Sequence, residues 1–436
     1  PDFMQMTLSC NMTKMFFYME TGCALPVFLL ICLLRKDSRM NSDRSFNRMP
    51  LGIYLHIPFC VKKCLYCDFL SFPSDDTARE RYVNALLREI DAQSALYGQY
   101  EVHTIFFGGG TPSLLTAEQI DRLLSRLASR FHFAERETEI TLEANPGTVS
   151  EAFLASCRRS GVNRLSLGLQ SASDKELKAL GRIHTWQDFL GSWRAAGRAG
   201  FTSLNVDLMS ALPGQTLESW MDTLRRAAEL EPAHLSAYSL IVEEGTPFYE
   251  LYGEKGEAAR RGFPALPDED EERRMYEQTG EFLARRGYDR YEISNYARPG
   301  YRCRHNLSYW KRVDYAGFGL GAASLRQNVR WSNTRSMEEY LACCADTGLE
   351  TPMKKDLQRL DRAEQMEEFM FLGLRMTEGV EGEAVRKSFG ERLEDVYEEA
   401  VGKLIREGLL LHEKGRYRLT ERGVDVSNYA LAEFLF

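Results

Sequence analysis

The chain has 436 residues, 44% of them hydrophobic and 27% charged, which is enough for one large domain with a smaller one beside it. Its formal charge of −8 and pI near 5.6 provide no basic field to gather phosphates, so nucleic acid is excluded as the expected partner in favour of small molecules or proteins. Ten cysteines are too few for a disulfide scaffold in so long a chain, which fits a reducing, cytoplasmic setting.

Residues 1–48 stand apart. They hold five methionines in the first twenty positions and an uncharged apolar run from Cys23 to Leu34, too short to span a bilayer. Arg35 and Lys36 follow that run, the wrong side for a signal peptide, and no small-residue cleavage site is evident. The segment reads as a non-native leader, upstream sequence translated from a misplaced start with Met49 as the functional beginning. A membrane or targeting anchor is the alternative.

Residues 49–242 alternate short β-rich runs with segments of helical period, the pattern of a β/α architecture. Strands are expected at Ile53 to Ile57, Thr104 to Phe107, Glu139 to Leu142, Arg164 to Leu167, Ser203 to Leu208 and His234 to Ser239. The clearest helix has Thr116 as its N-cap and Ile120, Leu123, Leu124 and Leu127 on one face. Six units predict an open, partial (β/α)6 barrel in the α/β class, since eight would be needed for the common closed one.

Residues 243–355 loosen into an extension. An acidic stretch around Asp268 to Glu272 leads into one more helix, and Tyr291 to Ser324 is dense in aromatics and glycine. Cys157, Cys343 and Cys344 lie on helical patterns and are expected to be packed thiols. The run Tyr315 to Ser324 is read either as a turn closing over a flat ligand or as a plain connection. Residues 356–436 form a C-terminal module with a helix from Glu394 to Arg406 and a hairpin from Leu409 to Leu419 turning near Gly415. This resembles a winged helix, but Glu394, Asp395, Glu398 and Glu399 would repel phosphate, so packing is expected ahead of DNA binding.

The chemistry is concentrated after the first strand, where Cys60, Cys64 and Cys67 share one short loop. Three thiolates around a four-iron cluster leave one iron without a protein ligand, and an open metal position is where exogenous chemistry occurs. A zinc site is the alternative, weakened by the absence of a fourth ligand at normal spacing. Gly108, Gly109, Gly110, Thr111 and Pro112 follow the second strand, where backbone without side chains lets a ligand approach closely.

Together the CxxxCxxC loop and the GGGTP run resemble the radical S-adenosylmethionine (SAM) superfamily. The resemblance implies a 4Fe-4S cluster held by Cys60, Cys64 and Cys67, with SAM chelated to the open iron and cleaved reductively to a 5′-deoxyadenosyl radical. It further implies SAM contacts from Tyr54, Tyr66, Gly109, Gly110, Thr111, Glu143, Gln170, Arg182 and Asp207. No catalytic side chain is assigned.

Within the superfamily, residues 51–436 resemble the group of oxygen-independent coproporphyrinogen III dehydrogenases and the HemW haem chaperones. The dehydrogenase loop continues with a further cysteine, whereas this one reads Cys67, Asp68, Phe69, as in the chaperones. The HNxxYW motif, here His305, Asn306, Tyr309 and Trp310, is associated with haem in that family, and a neutral imidazole is a common axial ligand. A hydrogen-bonded core histidine is the alternative for His305 by itself. The resemblance implies a haem-binding protein with a haem-acceptor partner, an electron donor for the cluster and loose membrane association through the acceptor. The alternative function is oxidative decarboxylation of coproporphyrinogen III in porphyrin biosynthesis, so whether the chain is an enzyme stays open.

Overall fold

The computed structural model describes residues 48–134, 138–254, 256–345 and 353–436. The leader expectation therefore falls, apart from Arg48, outside the described residues.

Strands β1 (Met49–Ile57), β2 (Tyr100–Gly109), β3 (Glu139–Ala144), β4 (Arg164–Gln170), β5 (Ser203–Ser210) and β6 (His234–Ser239) lie side by side in chain order, all parallel. Helices α1 (Asp76–Gln93), α2 (Ala117–Arg130), α3 (Glu151–Arg159), α4 (Trp186–Arg198) and α5 (Leu217–Ala228) connect them. Because strand side chains alternate between faces, Leu51, Ile53, Leu55 and Ile57 of β1 share one face, and with Ile105, Phe107, Leu142 and Leu165 they pack under the helices. Positions of the opposite parity carry Gly52, Tyr54, Thr104, Phe106, Glu143, Arg164, Asp207 and His234, and these line a largely polar inner face. One face therefore supplies the core and the other the chemistry.

The α2 prediction is met in detail. Ile120, Leu123, Leu124 and Leu127 are fully buried, each worth roughly 1.5–3 kcal/mol of transfer free energy. Thr116 Oγ1 accepts from the Gln119 amide at 3.1 Å, and Gln119 Oε1 accepts from the Thr116 amide at 2.9 Å, a reciprocal cap that fixes the helix start. The acidic stretch likewise opens a helix, α6 (Glu269–Ala284), capped by Asp268.

The sheet stays open. Beyond β6 it continues antiparallel through β7 (Asn295–Ala297). A seventh parallel strand, β8 (Tyr315–Phe318), joins the far side of β1 in the register Gly52↔Tyr315 and leads into antiparallel β9 (Ala323–Arg326), β10 (Val329–Asn333) and β11 (Lys354–Arg359). The glycine-rich run is thus strand and connection. A Cβ on Gly317 would fall 2.0 Å from the Ala323 carbonyl oxygen. Helix α7 (Arg304–Trp310) carries HNxxYW, and α8 (Met337–Ala345) carries Cys343 and Cys344. Cys157 and Cys344 are buried, whereas Cys343 is only half-buried.

From α9 (Arg362–Gly373) onward the chain builds a separate apolar cluster that includes Met370, Val385, Leu404, Tyr417 and Phe434. Its three-stranded antiparallel sheet contains the predicted hairpin, β12 (Leu410–Glu413) and β13 (Arg416–Leu419), with Val380–Glu381 on the outer side of β13. Lys414 (φ 53°) and Gly415 (φ 75°) make the turn, a left-handed pair that matches strand twist. The helix expected over Glu394 to Arg406 is broken at Tyr397, whose backbone (φ −119°, ψ 29°) leaves the helical region while its ring packs on Phe434 and Phe436.

Candidate functional site

The cysteine loop leaves β1 at the C-terminal edge of the parallel strands, where connections can gather residues from several strands. It is pinned at its start by the Cys60 amide on the Phe72 carbonyl at 3.1 Å and in its middle by the Leu65 amide on the Leu180 carbonyl at 3.1 Å. Cys60, Cys64 and Cys67 are all half-exposed free thiols. The Thr111 hydroxyl lies 3.5 Å from Cys60 Sγ and Arg182 Nη1 lies 3.7 Å from Cys64 Sγ. Burial pushes the Cys67 thiol up to about 11, a cost that binding to metal would offset. Among the described residues no three His, Cys, Asp or Glu groups converge on a single-ion site. Three thiolates that each serve a different iron of one cluster need no such convergence.

The glycine run is packed tightly beneath this loop. A Cβ on Gly110 would lie 2.7 Å from the Phe59 carbonyl oxygen and 2.8 Å from that of Ile57, and a Cβ on Gly109, at φ 107°, would meet the His56 ring at 2.4 Å. The expected reason for these glycines was ligand approach. The structure supplies another, namely that β1 and its loop already fill the space a side chain would take. His56 donates from Nε2 to the Leu70 carbonyl at 2.9 Å and accepts from the Tyr54 hydroxyl at 3.1 Å.

Around the same mouth stand several other predicted positions. Arg182 donates to Asn145 Oδ1 at 2.8 Å and to the Gly168 carbonyl at 2.7 Å, and Asn145 in turn donates to Thr111 Oγ1 at 2.7 Å. Gln170 ends β4 at φ 68°, beside a register shift against β5, and accepts from the Tyr238 hydroxyl at 3.1 Å. A bulge with a strained non-glycine residue is a device for aiming a side chain. Glu143 is raised to about 8, first by burial and then by Asp207. Asp207 is raised by burial although it accepts from Ser166 at 2.9 Å and Asn205 at 2.7 Å. Tyr66 is raised by burial and neighbours Arg182.

Asn145, Tyr238, Thr141 and Arg164 were not picked out from the sequence. Only Asn145 carried a signal, its place beside Glu143. Thr141 and Arg164 are partners in register, and Thr141 Oγ1 and Arg164 Nε are buried without a hydrogen-bond partner among the described residues. Orphaned polar atoms on the inner face, with the buried carboxyls of Glu143 and Asp207 nearby, suit a polar ligand in the lumen.

HNxxYW lies elsewhere. The α7 amides of Arg304 and His305 donate to the Glu139 carboxylate at 3.0 and 2.9 Å, at the start of β3. Thr104, which meets His305, lies five residues before Gly109, so roughly 16 Å of strand separates motif and mouth. His305 is 1% exposed, stacks on Phe106, and has Nδ1 2.8 Å from Thr104 Oγ1 and Nε2 2.9 Å from the Tyr309 hydroxyl. Burial, with Arg164 nearby, lowers its pKa to about 3. Neither ring nitrogen is open in this arrangement, and His305 occupies a core position. Asn306, Tyr309 and Trp310 are half-buried on the same helix. A chain of contacts runs from the neighbouring Cys303 amide to Tyr291 (3.2 Å), His234 (2.7 Å), Asn205 (2.6 Å) and Asp207, joining the motif's end of the lumen to the mouth.

Residues 54–227 match the Radical SAM superfamily, and residues 360–426 match the HemN C-terminal domain. The haem chaperone HemW of Lactococcus lactis is 36% identical over 88% of this chain and 97% of its own length. That of Bacillus subtilis is 35% identical over 88% and 98%, and that of Escherichia coli 45% identical over 63% and 69%. Among solved structures, the coproporphyrinogen III oxidase HemN of Escherichia coli, a radical SAM enzyme, superposes with a TM-score of 0.75 at 25% identity, covering 89% of this chain and 90% of that one.

Proposed function

The chain belongs to the HemW family of the radical SAM superfamily, and on that premise we propose that it is a haem chaperone, binding haem, a 4Fe-4S cluster and SAM and passing haem to an acceptor protein. The chain-long likeness to relatives that bear this name carries the reading. Cys60, Cys64 and Cys67 would hold the cluster, and the donor set fits, with three thiols on one pinned loop beside the Thr111 hydroxyl and the Arg182 guanidinium. When bound, cluster and SAM supply one-electron chemistry that side chains lack. The residues themselves bind and orient. Gly109, Gly110 and Thr111 would floor the site, Arg182 and Gln170 border it, and Glu143 and Asp207 offer buried carboxyls to SAM, with Tyr54 and Tyr66 walling off water.

An electron donor for the cluster, a cytoplasmic setting and loose membrane contact made through the acceptor belong to the same proposal. The seven described cysteines are all free, which supports a reducing compartment, and no described helix is long and apolar enough to cross a membrane. The superposition on HemN favours, as a second reading, decarboxylation of coproporphyrinogen III. Anaerobic incubation of the cluster-reconstituted protein with SAM and either haem or coproporphyrinogen III separates them. Saturable haem binding without turnover of the porphyrinogen is expected. Decarboxylated product without haem binding would transfer the assignment to the enzyme.

A further inference from the structure

Two of the three loop thiols have a side-chain donor aimed at them, and one residue joins the two donors. Thr111 Oγ1 lies 3.5 Å from Cys60 Sγ, and Arg182 Nη1 lies 3.7 Å from Cys64 Sγ. Between them stands Asn145, the residue after β3, with Oδ1 2.8 Å from Arg182 Nη2 and Nδ2 2.7 Å from Thr111 Oγ1. A guanidinium only donates, so Oδ1 has to face Arg182 and the amide nitrogen has to face Thr111. The Thr111 oxygen then accepts from Asn145, and its own proton is left for the Cys60 sulfur. From Arg182 the donated protons therefore run outward, directly to Cys64 and through Asn145 and Thr111 to Cys60. The local turn does not need this side chain. It is closed by the Asn145 carbonyl, which accepts from the Thr148 amide at 3.1 Å and the Thr148 hydroxyl at 2.6 Å.

We propose that Asn145 is a positioning residue for the cluster, setting how strongly the Cys60 and Cys64 sulfurs are hydrogen-bonded and thereby how readily the cluster accepts an electron. The proposal rests on the reading that Cys60, Cys64 and Cys67 hold a 4Fe-4S cluster. A proton donated to sulfur draws negative charge from it, which favours the reduced and more negative state. Hydrogen bonds to the sulfurs, and the partners behind them, are among the means by which a protein sets a cluster's potential. Bonds in series polarise one another, so a break at Asn145 weakens the contact at Cys60 and frees the guanidinium at Cys64. Because Asn145 is neutral, its loss alters these bonds without altering the charge of the site.

The test reconstitutes the cluster anaerobically, without SAM, in the full chain and in Asn145→Ala, Thr111→Val and the double variant. Reduction by dithionite is followed at controlled potential through cluster absorbance, with iron content and thermal midpoint as controls. Asn145→Ala should hold as much iron as the parent and take up one electron roughly three- to tenfold less favourably, a fall of about 30–60 mV in potential. Thr111→Val should lower the potential too, and the double variant should fall short of the two shifts added, because both break one chain. A residue that only packs the turn would change the thermal midpoint and leave the potential alone. A parent-like potential in Asn145→Ala, or strictly additive shifts, would overturn the proposal while the cluster stands. A parent that holds no cluster would overturn both. If Asn145→Ala fails to take up iron, Asn145→Asp decides. It fills the same space and keeps Arg182, but it offers Thr111 only an acceptor and so turns that hydroxyl away from Cys60. Its potential should fall, and a parent-like value there overturns the proposal.

Discussion

The phenol of Tyr309 lies 2.9 Å from Nε2 of His305, and with Thr104 on Nδ1 it leaves the imidazole no free nitrogen. In this arrangement His305 holds α7 against Thr104 of β2 and Glu139 at the start of β3. Tyr309→Phe should cost about 0.5–1.5 kcal/mol in chemical denaturation and leave the haem spectrum unchanged. A shifted, strengthened haem band in that variant would mean that freeing Nε2 lets it ligate iron, which would restore the ligand role.

The same burial predicts a pH dependence. His305 has a folded pKa of about 3, against roughly 6.5 for a solvated imidazole. Below pH 6.5 the unfolded chain takes a proton that the folded chain refuses, so stability falls as pH drops toward 3, by at most about 1.4 kcal/mol per pH unit. Glu143, raised to about 8, works in the opposite sense, its contribution being lost as pH rises toward 8. Comparison with His305→Gln isolates the histidine. The parent's advantage over that variant, read by denaturant midpoints at pH 7.5, 6 and 5, should shrink below pH 6.5. A constant gap would show that the imidazole charges freely in the fold.

Cys64→Ser should abolish the absorbance of the reconstituted cluster while circular dichroism and thermal midpoint stay as in the parent, because the loop is held by backbone bonds independent of the sulfur. Arg182→Ala should leave the iron content largely intact and weaken SAM binding, since its guanidinium links Cys64, Asn145 and Gly168 without being a ligand. An undiminished cluster in Cys64→Ser would remove that residue from the ligand set.

Gly110→Ala forces a methyl against two backbone carbonyls, which cannot rotate away as a side chain would. We expect a loss of about 1–3 kcal/mol and reduced cluster occupancy, because the displaced atoms belong to the stem of the cysteine loop. Thermal denaturation and iron analysis read both. Parent-like stability would show that the loop tolerates displacement.

Much of the barrel was legible because each feature is short-range. The six strands follow from β-rich runs, α2 from its 3.6-residue period and its Thr116–Gln119 cap, and the cluster loop from three cysteines in eight residues. Strand ends were read short at β1 to β5, where proline, glycine and polar residues at the rim break the apolar signal although backbone pairing continues. The strand β8 was missed because its neighbour β1 lies more than 250 residues away in sequence.

The sequence by itself determined which residues carry chemistry and in what order the strands run, since periodicity, caps and motif spacing are properties of neighbouring positions. The tertiary structure alone decided their environments. It set HNxxYW at the far end of the lumen from the cysteines, closed Nδ1 of His305 with a partner 201 residues away, and left Thr141 Oγ1 and Arg164 Nε side by side without a hydrogen-bond partner among the described residues. It also brought Arg375, from the C-terminal module, over Trp310. Burial and long-range contact set each of these, through desolvation and the loss or gain of a partner, and neither is encoded in local spacing.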